Sequence, residues 1–208
     1  TLTTEIGKIG GINGPPEGVN FGVSSNMKAI IPMSNQFDFY DGGGLDIAYV
    51  SFAQVDQKGN VNVHIINDRI MGTGGFSNIT ANCKKVVFGG TMTSGGLKTK
   101  VGNGKIEVIQ EGQFRKFLSK VDQITFSGEN AVRNGKQVFY VTERCVFRLT
   151  IDGLELIEIA PGIDSEKDIL PYMDFTPNVS NELKFMDKRI FIDKPMGIHE
   201  EWLNQIVN

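Results

Sequence analysis

The stretch LDIAYVSFAQVDQKGNVNVHI, residues 45–65, decides the fold class. Its first part, LDIAYVSFAQV (45–55), is a long apolar run with few charges, the pattern of a strand buried on both faces of a partly parallel sheet. NVNVHI (60–65) alternates polar and apolar residues, as a half-buried strand does, and Asp56-Gln57-Lys58-Gly59 between the two reads as a hairpin-like turn. Further along, Gly72-Thr73-Gly74-Gly75 precedes FSNITANCKK, a short helix, and VVFGG (86–90), another buried strand. Strand, glycine turn, helix and strand in succession predict an α/β domain, a mainly parallel sheet with flanking helices.

Beyond this centre the pattern turns more β-rich: KIEVI (105–109), QITF (123–126), QVFYVT and CVFRLT on either side of Glu143-Arg144, and LELIEIA (154–160). Asp164-Ser165-Glu166-Lys167-Asp168 reads as a helix start, with Asp164 as N-cap and acidic residues where the helix dipole favours them. Twenty of the 25 glycines fall in the first 112 residues, so tight turns and close backbone approaches concentrate there. No repeat period and no charged or Pro/Ser-rich linker divides the chain, and 208 residues fit one domain. The expectation is a single domain over 1–208, built in two styles.

Composition narrows the function classes. Hydrophobic residues make up 40% and charged residues 22%, ordinary globular usage, and no apolar run reaches the roughly 20 residues that span a bilayer. A net charge of -3 offers no basic stripe for nucleic acid. The N-terminal TLTTEIGKIGGINGPPEG has neither an apolar signal core nor a basic leader, which predicts a cytoplasmic protein. Because the chain starts with Thr1, and Leu2 to Thr4 read as the end of a strand, a fragment or cleavage product is expected. Cys83 and Cys145 lack any metal-ligand spacing and read as buried thiols. His64 and His199 have no triad partners in sequence, and both read as structural.

Three glycine-bearing segments remain for chemistry. In TLTTEIGKIGG, Glu5 leaves a strand and is followed at once by Gly7, Gly10 and Gly11. QFDFYDGGG (36–44) interleaves aromatics with carboxylates, which reads as a half-buried strand, and its triple glycine, with Gly43 at the centre, frees backbone donors for a ligand. In MGTGGF (71–76) the turn aims amides outward at a helix start, where a phosphate or the oxyanion of a tetrahedral intermediate can be held. The spacing lacks the third glycine of a dinucleotide fingerprint, and no Gly-Lys-Ser/Thr of a P-loop follows.

In this order the segments EIGKIGG, QFDFYDGGGLDIAYVSFAQVDQKGNVNV, GTGGFSNI, VVFGGTMT, EIAPGIDSEKDIL and MDFTP resemble the β domain of family I coenzyme A transferases, in particular the branch acting on short-chain acyl-CoAs such as acetyl- or propionyl-CoA. The resemblance runs along nearly the whole chain. It implies that Glu5 is the catalytic glutamate and that Gly75, with Gly74 beside it, supplies an oxyanion-hole amide. It also implies an upstream α domain or companion chain, a homo-oligomer, coenzyme A as substrate rather than as a resident cofactor, and no metal. One departure is Ile6, which stands where these enzymes often have Ser or Asn. For the CoA phosphates the candidates are Lys98 and the glycine loop Gly95-Gly96 before it, with Gly43 as a further backbone contact. Two other readings stay open at this point: an acyl-CoA hydrolase of the same superfamily, and a non-catalytic sensor that holds a phosphorylated metabolite in its glycine loops.

Overall fold

A computed structural model describes residues 1–14, 24–66 and 68–207. Glu17 of the N-terminal glycine-rich stretch lies outside the described residues. The chain opens on a small antiparallel sheet, β1 (Thr3–Thr4), β2 (Lys8–Ile9) and β3 (Ala29–Ile30), followed by helix α1 (Met33–Asp41). Then come strand β4 (Ile47–Ser51), the hairpin β5 (Gln54–Asp56) and β6 (Val61–Asn62), helix α2 (Phe76–Ala81) and strand β7 (Lys85–Gly89). The second half holds the hairpin β8 (Lys98–Gly102) and β9 (Lys105–Gln110), strand β10 (Phe117–Leu118), helix α3 (Gly128–Arg133) and strands β11 (Gln137–Val141), β12 (Cys145–Thr150) and β13 (Gly153–Ile159). A single turn α4 (Ser165–Asp168), strand β14 (Asn178–Phe185) and helix α5 (Ile198–Val207) end it.

The main sheet has six strands in the order β14-β13-β12-β11-β7-β4. β4, β7 and β11 are mutually parallel, β12 and β13 return antiparallel, and β14 lies parallel to β13. The α/β class and the mainly parallel sheet are therefore as the sequence predicts. Register explains where the core sits, because partners across a sheet point to the same face. One row runs Val50, Phe88, Tyr140, Phe147, Leu156, and four of its five members are fully buried or nearly so. Phe88 stacks on Tyr140 at 5.3 Å and on Phe76 of α2 at 5.8 Å, which places α2 on this face.

The neighbouring row, Tyr49, Val87, Phe139, Arg148, Glu155, faces the other way. Tyr49 is 70% exposed and Ile47 37%. The run 45–55 is thus not one strand buried on both faces: it divides into β4, an edge strand with one face that no described element covers, and the start of the buried β5 in a separate sheet. The hairpin turn is as read, with Gly59 at φ +73° donating to the Asp56 carbonyl.

Two further expectations are corrected. QFDFY forms α1 rather than a strand, with Gln36 and Tyr40, four apart, making its buried stripe. QITF forms no strand, and only Phe126 makes an isolated bridge, to Val61. The Asp164 N-cap is present, its carboxylate accepting from the Glu166 and Lys167 amides. Both cysteines are buried and unpaired by disulfide. No described helix is long and apolar enough to cross a membrane.

Candidate active site

The turn between β1 and β2 carries Glu5. Gly7, at φ +91°, closes it by donating to the Thr4 carbonyl, and the Gly7 carbonyl in turn accepts from Ile31. A left-handed backbone favours glycine here, since a side chain at 7 would also run into the Ile31 carbonyl. The hairpin is seated on α1: Tyr40 Oη donates to Thr3 Oγ1 at 2.9 Å, and Pro32, one turn before Gln36, abuts Gly7. Burial raises the Tyr40 hydroxyl above its ordinary range, the bond to Thr3 opposes this, and the nearby Glu5 charge adds to the rise.

Glu5 is exposed, and its carboxylate reaches the start of α2. A Cβ placed on Gly75 would stand 2.5 Å from Glu5 Oε2 and 2.7 Å from Phe37 Cζ. A side chain at 75 would displace the Glu5 carboxylate and the Phe37 ring from where they lie. Gly75 is the N-cap residue of α2, and among the described residues neither its amide nor that of Gly74 is spent on a backbone hydrogen bond. Gly74, at φ +52°, has nothing within 4 Å of where a side chain would begin. Glu5, Phe37, Gly74 and Gly75 thus come together: an exposed carboxylate on a tight turn, two uncommitted amides and an aromatic wall. Such a group can attack an acyl carbon and hold the oxygen that becomes negative.

The other candidates lie elsewhere. Gly43, at φ +82°, sits beside Asn82 at the far end of α2, and Asn82 Nδ2 donates to the Asp41 carbonyl at 2.7 Å. The amides of Gly42, Gly43 and Gly44 donate to the carbonyls of Asp38, Tyr40 and Phe39. The expectation of free donors is corrected: the triple glycine is the C-terminal cap of α1, and its amides are already committed. Gly95 and Gly96, both at positive φ, turn the chain into β8, and their carbonyls accept from Gln113 N and Gln110 Nε2. Lys98 is exposed at the start of β8, opposite Gln110. No described contact joins that loop to Glu5.

Phe37 was not singled out in the sequence, because its neighbours were assigned to a strand, whereas helical spacing from Gln36 to Tyr40 was the available signal. Also unforeseen is a set of buried polar atoms without hydrogen-bond partners among the described residues: Thr4 Oγ1, Lys8 Nζ and both amide atoms of Gln36. Thr4 and Gln36 adjoin Glu5 and Phe37 in the chain, and Lys8 lies three residues beyond Glu5. His64 Nδ1 lies 2.6 Å from Thr125 Oγ1, and His199 stacks on Trp202, so neither histidine joins this group. No cluster of three or more metal-ligating side chains occurs among the described residues.

No protein-family model matches the chain. It is 57% identical over 196 residues to the acetate CoA-transferase YdiF of Escherichia coli O157:H7, covering 94% of this chain and 36% of that protein. It is 47% identical over 203 residues to the caffeate CoA-transferase of Acetobacterium woodii, covering 95% of this chain and 38% of that one. The crystal structure of the YdiF apoenzyme superposes with a TM-score of 0.88 at 56% identity over 94% of this chain and 37% of its own. A second YdiF structure, a thioester complex with CoA, matches equally at 55% identity, over 94% of this chain and 36% of its own. The glutaconate CoA-transferase of Acidaminococcus fermentans, at 18% identity and a TM-score of 0.64 over 91% of this chain and 77% of its own, shares the fold. The chain spans little more than a third of the length of the curated relatives.

Proposed function

We infer that this chain, a C-terminal region of a family I coenzyme A transferase, carries the nucleophile of an enzyme that moves CoA between an acyl-CoA and a carboxylic acid. The observation that carries the reading is the Glu5 carboxylate lying against Gly75, with Oε2 2.5 Å from the place a Cβ would occupy. A carboxylate nucleophile has no proton to give up and needs no dedicated base, in keeping with a site that includes neither His64 nor His199.

In the proposed cycle Glu5 attacks the thioester carbonyl. The Gly75 amide, with Gly74 beside it, donates to the developing oxyanion, a contribution of about 3 kcal/mol per well-placed donor. The C–S bond breaks, leaving a glutamyl–acyl anhydride and CoA thiolate. The thiolate attacks the glutamyl carbonyl, the first acid leaves, and CoA is held on Glu5 as a thioester. A second carboxylate runs the same steps in reverse. Carboxylate replaces carboxylate at each exchange, so thioester energy is conserved without ATP or a metal. The CoA thioester complex of the related YdiF supports this route.

Short-chain acyl-CoAs and carboxylates are the proposed substrates, and the remaining pocket walls are proposed to come from polypeptide outside these residues. Gly43, Gly95, Gly96 and Lys98 carry no part in the proposed cycle. The test is CoA exchange by the full-length protein from propionyl-CoA with and without acetate. Transfer requires acetate and yields acetyl-CoA. CoA release at the same rate without any carboxylate would make the protein a hydrolase, and binding without turnover would make it a sensor.

A further inference from the structure

Lys116 lies just before β10, where its carbonyl accepts from the Val55 amide at 2.8 Å. Its side chain, only 9% exposed, returns to the carboxyl end of β7, the middle one of the three parallel strands. Nζ stands 4.2 Å from the centre of the Phe52 ring, and a Cβ built on Gly90 would come within 3.0 Å of it. A side chain at 90 would crowd the Phe52 ring first and then the ammonium. Among the described residues Nζ has no hydrogen bond and no ion pair.

The nearby acid is already committed. Glu143 accepts from the Met92 amide at 2.9 Å and from Arg144 Nε at 2.6 Å. Arg144 in turn is held by Glu111 at 2.6 Å and has no charge to offer Lys116 but a like one. Burial pulls the Lys116 ammonium down to about 8, and the Glu143 charge resists that pull. A cation largely withdrawn from water and facing a ring, with no protein oxygen bonded to it, lacks part of what water gave it. Beside it Gly89 is exposed, with nothing within 4 Å of where a side chain would begin, so the strand end is open. Ligands of open α/β sheets bind outside the carboxyl ends of parallel strands.

We propose that Lys116, beside Gly89 at the open carboxyl end of β7, forms an anion site that receives a phosphate or carboxylate group of a substrate; the Gly90 amide is committed to the Val141 carbonyl. The choice of substrate rests on the transferase reading; the site itself rests on the unpartnered ammonium. An anion bound there stabilises the protonated form, so binding takes up a proton near pH 8 and weakens as pH rises above it.

The experiment is trace acetylation of the full-length protein with acetic anhydride, read peptide by peptide by mass spectrometry from pH 6.5 to 10. It is run alone and with inorganic phosphate, acetate, CoA or pantetheine. Alone, Lys116 labels with a midpoint near pH 8. Protection of about tenfold at pH 8 by phosphate and CoA, but not by pantetheine, identifies the phosphate source, and protection by acetate identifies the carboxylate source. Unchanged Lys116 labelling under all four ligands, in a protein shown by calorimetry to bind CoA, overturns the site. A protein that binds no CoA but is protected by phosphate or acetate keeps the site and breaks the transferase reading. Lys116→Met is expected to weaken the protecting anion tenfold or more. Lys116→Arg is expected to keep binding and lose its pH dependence between 7 and 9, because guanidinium does not titrate there. A Met variant that binds as the wild type does also overturns the proposal.

Discussion

The six-stranded sheet and the hairpin that carries Glu5 are built to different standards. In the sheet, Val86, Phe88, Val138, Tyr140, Phe147 and Leu156 are wholly buried, and the buried Arg144 is matched by Glu111, Glu143 and the Asp168 carbonyl. In the hairpin, and in β3 and α1 packed beside it, the strands are two residues long, Leu2, Ile6, Ile30 and Met33 are exposed, and buried polar atoms of Thr4, Lys8 and Gln36 lack partners among the described residues. In the sheet the buried Arg144 is matched on every side, and no buried side-chain polar atom of its described strands is without a hydrogen-bond partner. Glu5, the proposed nucleophile, therefore sits in a part of the chain whose polar and apolar groups are incompletely matched among the described residues.

That contrast breaks if function and stability fail together. The largest effect is expected for Glu5→Gln, which keeps the shape and removes the nucleophile: transfer by the full-length protein falls by several orders of magnitude, while the melting temperature stays within a few degrees. Glu17→Gln, a change of the same charge in the same glycine-rich stretch, is the control and leaves the rate nearly intact. Phe88→Ala does the reverse. It opens a cavity between Phe76, Phe126 and Tyr140 and costs about 3–5 kcal/mol by chemical denaturation.

Gly75→Ala sharpens the comparison further. Its backbone, at φ -80°, accepts alanine without strain, so the only penalty is the new methyl against Glu5 and Phe37. Transfer is expected to drop about a hundredfold, a loss comparable to that of one oxyanion donor, with stability changed by less than about 1 kcal/mol. A Gly75→Ala protein of wild-type rate would show that the carboxylate works from another position.

The smallest effect concerns pH. Lys116 has a folded value of about 8 against an ordinary 10.5, so between those values the unfolded chain binds more protons and stability rises with pH. Denaturation at pH 7 and 9 is expected to favour wild type over Lys116→Met by about 1 kcal/mol more at the higher pH. An equal gap at both values would mean that the ammonium is solvated.

The sequence was legible where local pattern and tertiary placement agree. VVFGG, QVFYVT and CVFRLT alternate along strands with one buried face, and Asp164 caps the turn it precedes. It misled where two periods overlap: in QFDFY the aromatics alternate as in a strand, yet Gln36 and Tyr40 are also one helical turn apart, and Gly42 to Gly44 end the helix. Strand β14 went unread because an edge strand with mostly exposed residues needs little apolar pattern. At the site, Glu5 and Gly75 were found through resemblance and Phe37 could have been placed by the helical spacing of Gln36 and Tyr40, whereas the burial of Lys116 and Lys8 is a product of tertiary packing that no local spacing announces.

The most direct measurement is to trap the intermediate. Full-length protein is incubated with propionyl-CoA and no acceptor, reduced with borohydride, digested and mapped by mass spectrometry. The account expects CoA on the peptide containing Glu5 before reduction, the Glu5 side chain recovered as an alcohol after it, and neither in Glu5→Gln. CoA on any other residue, or a trapped thioester that survives Glu5→Gln, would contradict it.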